Sequence, residues 1–104
     1  MPDRPETDPS ARARRLPARA DISAAGPLRE WFLSADGNVE LDASGVEVLT
    51  TPVLQVLMAG RDWMRDADRE VRIAGPSPAF LDCMRILGTD LDRLTHVSAT
   101  GGTM

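Results

Sequence analysis

The stretch VELDASGVEVLTTPVLQVLMAGRDWMRDADREVRIAGPSPAFLDCMRILG, residues 39–88, decides the fold. It opens with apolar Val39, Leu41 and Ala43 alternating with charged Glu40 and Asp42. A period of two marks a strand with one buried face. Gly45 interrupts the alternation, and Val46-Glu47-Val48 resumes it. Thr51-Pro52 then opens a helix, with Thr as cap and Pro at the first helical position, where a missing N–H costs little. The helix is predicted to run to Asp66, burying Val53, Val56, Leu57, Gly60 and Met64 at i, i+3, i+4, i+7 and i+11. Gly60 in that stripe predicts a close approach of helix to sheet. Val71 and Ile73, flanking Arg72, read as the next strand. Ser77-Pro78 repeats the cap-plus-Pro device, and Phe80, Cys83, Met84 and Leu87 form one helix face. Gly88 ends that helix in a left-handed cap.

The same pattern extends upstream. Leu16–Ala20 reads as a short first strand, which Pro17 confines to an edge or a strand start. Ser23 offers a helix cap, Pro27 suits the first turn, and Leu28, Trp31, Phe32 and Ala35 share one face. Asp36-Gly37-Asn38 is a turn, and Thr95–Ser98 a last short strand. Alternating strands and helices predict an α/β fold: a central, mostly parallel sheet of about four strands covered by helices. Residues 1–15 are charged and rich in Pro, with almost nothing apolar. They read as a disordered leader. Residues 16–98 then form the domain, and 99–104 a flexible tail.

Composition narrows the chemistry. All 12 basic side chains are Arg, with one His, His96, and one Cys, Cys83, among the 104 residues. Without Lys there is no P-loop, no Schiff-base cofactor chemistry and no receiver-type phosphorelay centre. One Cys forms no internal disulfide, and one His with one Cys makes a poor zinc site. No apolar run is long enough to span a membrane or to serve as a secretory signal, so a cytoplasmic protein is expected. The formal net charge of −4 argues against general nucleic-acid affinity. That charge is uneven. Residues 1–20 hold five Arg and three acids, whereas residues 21–104 hold seven Arg and thirteen acids.

The candidate chemistry is sparse. Arg61, Arg65 and Arg69, interleaved with Asp62, Asp66, Asp68 and Glu70, have the spacing of a solvated helix face. Asp90 and Asp92, His96 and Cys83 lack companions that would make them a catalytic or metal centre, so no catalytic residue, metal or cofactor is assigned. The junction at Thr51 is more informative. It places a hydroxyl at the positive end of a helix, where a phosphoryl group is well received. At about 100° per residue, Thr51, Leu54, Gln55, Met58 and Asp62 share a face turned away from the buried stripe. Apolar side chains clustered there point to a protein partner.

Residues 39–88 resemble a STAS domain, the family of anti-sigma-factor antagonists and sulfate-transporter tails. Leu41-Asp42-Ala43-Ser44 with Val46 matches the family's strand end. Leu54-Gln55-Val56-Leu57 matches its helix start, and Gly75-Pro76-Ser77-Pro78 its later helix start. The flanks at Leu16–Ala20 and Leu28–Leu33 suit the compact bacterial form. The family's phosphoacceptor falls on Thr51, in a motif that normally runs acid, Ser/Thr, small residue, Gly. Here Thr50, Pro52 and Val53 replace the acid, the small residue and the Gly.

The resemblance implies a non-enzymatic module that docks its loop and following helix onto a protein. The contact patch would be Thr50, Thr51, Leu54, Gln55, Met58 and Asp62. The implied partner is an anti-sigma factor with a kinase-like ATPase fold, released when Thr51 is phosphorylated. The alternative is constitutive membership of a phospholipid-transport ABC ATPase complex, or a chemotaxis-associated role, without phosphorylation. Neither reading involves nucleic acid or membrane insertion, and homo-oligomerisation is left open.

Overall fold

A computed structural model describes residues 11–97 of the chain. Five short strands and three helices follow one another as β1 (Arg12–Arg15), β2 (Arg19–Ala20), α1 (Ile22–Ser34), β3 (Val39–Asp42), β4 (Val48–Leu49), α2 (Thr51–Asp66), β5 (Val71–Ala74) and α3 (Pro78–Ile86), before a 3-10 turn at Leu91–Arg93. The α/β expectation holds, with the strands divided between two parallel ladders, β1-β3-β5 and β2-β4. Val39 and Leu41 of β3 are buried and Glu40 and Asp42 half-buried, which is the alternation that the sequence carries.

The first strand lies elsewhere than expected. Arg12–Arg15, read as part of the leader, forms β1 and pairs with Val39–Asp42 in register. Its charged composition hides how it is anchored. The guanidinium groups of Arg12 and Arg14 lie 5.6 and 6.0 Å from the centre of the Trp31 ring, and Arg12 also donates to Ser34 Oγ at 3.0 Å. Arg stems thus cover an aromatic that α1 buries. The predicted strand Leu16–Ala20 shrinks to Arg19–Ala20, because Pro17 has no N–H to give a ladder. Beside it the Ala18 carbonyl accepts from both Glu47 N and Val48 N, at 2.8 and 3.0 Å. The expected last strand reduces to a single antiparallel bridge between Val71 and His96. Its end at Ser98, the tail at 99–104 and the first ten residues of the leader lie outside the described residues.

The helices bury the faces that their spacing predicts, with local corrections. Leu28, Trp31, Phe32 and Ala35 are all buried. The cap of α1 is Asp21 and not Ser23, since the Asp21 carboxylate accepts from Ser23 N and Ser23 Oγ. In α2 the buried set is Val53, Leu54, Leu57, Gly60 and Met64, and Val56 is only half-buried. Leu54 replaces Val56 because the segment after α3 covers its side of the helix. Arg61, seven residues on and at nearly the same angle, donates to the carbonyls of Thr95 at 3.1 Å and Asp92 at 3.1 Å. Arg61 is therefore a tether and not part of a solvated face. So is Arg69, which donates to the Ala35 carbonyl at 2.8 Å.

Ser77 caps α3 as expected, accepting from Phe80 N at 3.0 Å, and Gly88 takes the left-handed conformation with φ 83°. Phe80 and Met84 are buried, Cys83 is half-buried, and Leu87 is exposed where the apolar spacing predicts burial. Gly60 does permit a close approach, but to α1 and not to the sheet. A Cβ on Gly60 would stand 2.6 Å from carbons of the Phe32 ring.

Candidate functional site

The candidate site is the outer face of α2 and the groove beside it. Helix α2 starts one residue earlier than its sequence suggests. Thr50 is the cap residue, Thr51 the first helical residue, and Pro52 follows in the first turn. Thr50 does not cap with its side chain. Its Oγ1 donates instead to the Ala20 carbonyl at 2.9 Å, tying the helix start to β2. Thr51 is exposed at the free amide end of the helix, the more positive end of its dipole. Of the two adjacent hydroxyls, therefore, Thr50 is half-buried and bonded whereas Thr51 faces solvent.

The predicted patch comes together only in part. Thr51, Gln55 and Asp62 are exposed along one ridge, and Met58 is half-buried and packs against the core. Leu54 is buried, 6 % exposed, and drops out of the patch. Asp62 accepts from Arg61 Nη1 at 2.9 Å and lies 3.6 Å from Arg65 Nη2. Two guanidinium groups thus offset its charge locally, and the ridge carries little net charge.

Sequence reasoning missed the apolar side of this surface. Between α1 and α2 runs a cavity of about 570 Å³ lined in part by Leu33, Pro52, Val56, Ala59 and Trp63. Trp63 is 50 % exposed and Leu33 41 %. The groove floor is Phe32 and Gly60, the pair in closest approach. A signal was present: Leu33 and Trp63 are large apolar residues that fall outside both predicted buried stripes, so a helix exposing them must hold them in solvent or against something else.

The chemistry available here is that of contact. Among the described residues no group of three or more His, Cys, Asp or Glu could hold a metal ion. No helix among them is long and apolar enough to cross a membrane. Cys83 sits half-buried in α3, and His96 joins β5 through its backbone, with 2.8 and 3.0 Å bonds to Val71.

The fold and site define a small α/β domain of short parallel strands whose exposed helix face suits binding. A family model described as Mlab, STAS domain, matches residues 15–96, and the chain belongs to this STAS family. STAS domains are in general non-enzymatic regulatory modules of protein–protein interaction. No curated protein and no solved structure matches the chain.

Proposed function

We propose that this domain is a cytoplasmic regulatory binding module that docks the α2 ridge, Thr51, Gln55, Met58 and Asp62, onto a signalling protein. A kinase-like anti-sigma factor is the partner expected, with Thr51 as the regulatory phosphosite. The observation that carries this reading is the exposure of Thr51 at the start of a ridge that continues into the Trp63–Leu33 groove. A phosphoryl group on Thr51 would add about −1.5 to −2 charge to a nearly neutral contact surface, enough to break an apolar interface by desolvation cost. In pull-downs with the candidate partner, Thr51→Glu and Met58→Asp are both expected to abolish capture. Unchanged capture by both variants sinks the reading.

A second reading is a constitutive subunit of an ABC ATPase complex. The apolar groove favours it, because permanent interfaces are more apolar than transient ones. Pro52 and Val53, in place of the small residue and Gly of the phosphosite motif, favour it as well. Incubation with the cognate kinase and ATP separates the two. Phosphate located on Thr51 by mass spectrometry supports switching, and a co-purifying ATPase with unmodified Thr51 supports the constitutive subunit.

A further inference from the structure

Among the described residues the sheet has an unpaired edge, remote from the α2 ridge in sequence. In the ladder β1-β3-β5, strand β1 is outermost, and among the described residues it pairs with β3 alone. The hydrogen bonds fix which backbone groups it leaves over. Arg12 N donates to the Asn38 carbonyl and Leu16 N to the Asp42 carbonyl, both at 2.9 Å. In a parallel ladder alternate residues of a strand face the same neighbour. Arg12, Arg14 and Leu16 therefore turn their amides toward β3, and Ala13 and Arg15 turn theirs outward. Both outward residues are exposed, and β1 contains neither Pro nor a bulge.

The side chains on this edge have one sign. Arg12, Arg14 and Arg15 fall within four residues of β1, and Arg19, on β2 of the other ladder, has its side chain 77 % exposed. No carboxylate stands on β1 itself. Asp42, the register neighbour of Arg15, accepts from Ser44 N and Ser44 Oγ at 2.9 and 2.6 Å. Arg19 reaches Asp21 only at 3.9 Å. Trp31 holds the Arg12 and Arg14 guanidinium groups on one face of β1, and the Arg15 guanidinium lies over Gly45, where a Cβ would stand 2.8 Å from its Nη2, so the three charges flank the strand in fixed positions. In a domain whose residues 21–104 carry a net negative charge, this cluster is a local inversion.

We infer that the β1 edge is a second binding site, which takes an extended acidic segment of a partner protein as an added parallel or antiparallel strand. The outward groups of Ala13 and Arg15 supply the main-chain bonds. The arginine cluster supplies the choice of partner, by pairing with carboxylates that alternate along the incoming strand. The same cluster rejects a second copy of this chain. Pairing β1 with itself would set arginines against arginines, and like charges directly opposite are destabilising.

The probe is a short capped peptide alternating Glu with Val, dye-labelled and followed by fluorescence anisotropy on the whole protein. Binding is expected, weakening several-fold as salt is raised. The matching peptide alternating Lys with Val is expected not to bind. Alternate N-methylation of the acidic peptide should remove binding, because it blocks main-chain pairing and leaves the charge intact. Ala13→Pro should cost about tenfold in affinity. It deletes one outward N–H and leaves the bonds to β3, which is where an edge strand tolerates Pro.

Equal binding of the N-methylated peptide would overturn the proposal, and this arm needs no variant protein to fold. So would displacement of the acidic peptide by duplex DNA at equal charge, which would make the edge a general polyanion site. Absence of binding to every peptide would also overturn it, and would leave the arginines as a guard against edge-to-edge aggregation. Loss of the α2 partner in Met58→Asp should leave peptide binding unchanged, so this proposal and the α2 reading fail separately.

Discussion

Gly60 of α2 lies directly against the Phe32 ring of α1, where a Cβ would stand 2.6 Å from Phe32 Cδ2 and Cε2. The two helices can approach this closely only because one of them has no side chain at the crossing. The ring it accommodates is also the floor of the apolar groove, so packing and the candidate binding surface share one contact.

Gly60→Ala should therefore destabilise the protein even though Ala favours helix by about 1 kcal/mol. Overpacking a well-filled site costs about 1–3 kcal/mol, and Phe32 is buried and has little room to turn. A net loss of up to about 2 kcal/mol in urea unfolding is expected. Adding Phe32→Leu should recover part of it. An alanine variant as stable as the parent would contradict the packing described.

Ser77 joins two functions in one hydroxyl. It accepts from Phe80 N at 3.0 Å as the cap of α3 and donates to the Val46 carbonyl at 2.6 Å, tying the helix to the loop before β4. Ser77→Ala should cost about 1–2 kcal/mol. Ser77→Thr should restore most of this, and Ser77→Asp should not. A carboxylate can cap the helix, but it has no proton for the Val46 carbonyl. Denaturant midpoints of the three variants decide the matter.

The adjacent threonines at the start of α2 should behave differently. Thr50→Val removes the bond to the Ala20 carbonyl and should cost about 1 kcal/mol. Thr51→Val, at an exposed position, should stay within about 0.5 kcal/mol of the parent. Thr51→Glu should fold and melt like the parent, since an acid in the first turn suits the helix dipole. Thermal melts followed by circular dichroism test all three. A collapsed fold in Thr51→Glu would remove it as a mimic of phosphorylation.

Asp21 gives the protein a pH-dependent contribution. The Ser23 hydroxyl and then the Ser23 backbone N–H donate to its carboxylate, with the Arg19 charge adding to them, and hold its pKa below the ordinary Asp value. The folded state thus favours the ionised form. The stabilisation is present above the ordinary Asp value and is lost as the pH falls from there through the lower folded one. Asp21→Asn keeps a capping oxygen but loses the charge. The stability gap between parent and variant should be widest at neutral pH and close on acidification, as read from denaturant midpoints across that range. A gap that widened on acidification would reverse the sign.

The helices were legible from spacing because a buried stripe is a local property. Leu28, Trp31, Phe32 and Ala35 announce their face without knowledge of any neighbour. The site was less legible. Leu54 and Val56 lie on opposite borders of the α2 stripe, and which of them is covered depends on what lies alongside. Arg61 draws the Asp92–Thr95 segment over the Leu54 side, leaving the Val56 side to the groove. Strand β1 was illegible for a related reason. RARR has no apolar alternation, and its anchor, Trp31, is on another element.

The sequence by itself determined the alternation of strands and helices from α1 to α3, the Ser77 and Gly88 helix ends, the lack of lysine chemistry and the resemblance to the STAS family. Each is written in local spacing, single residue types or motif order. Tertiary structure alone decided that Arg12–Arg15 is an edge strand, that Thr50 is tied down and Thr51 exposed, and that Trp63 and Leu33 border a groove. Those outcomes depend on contacts between residues 15 to 35 positions apart, and local periodicity does not encode which border of a helix or which edge of a sheet a distant segment will cover.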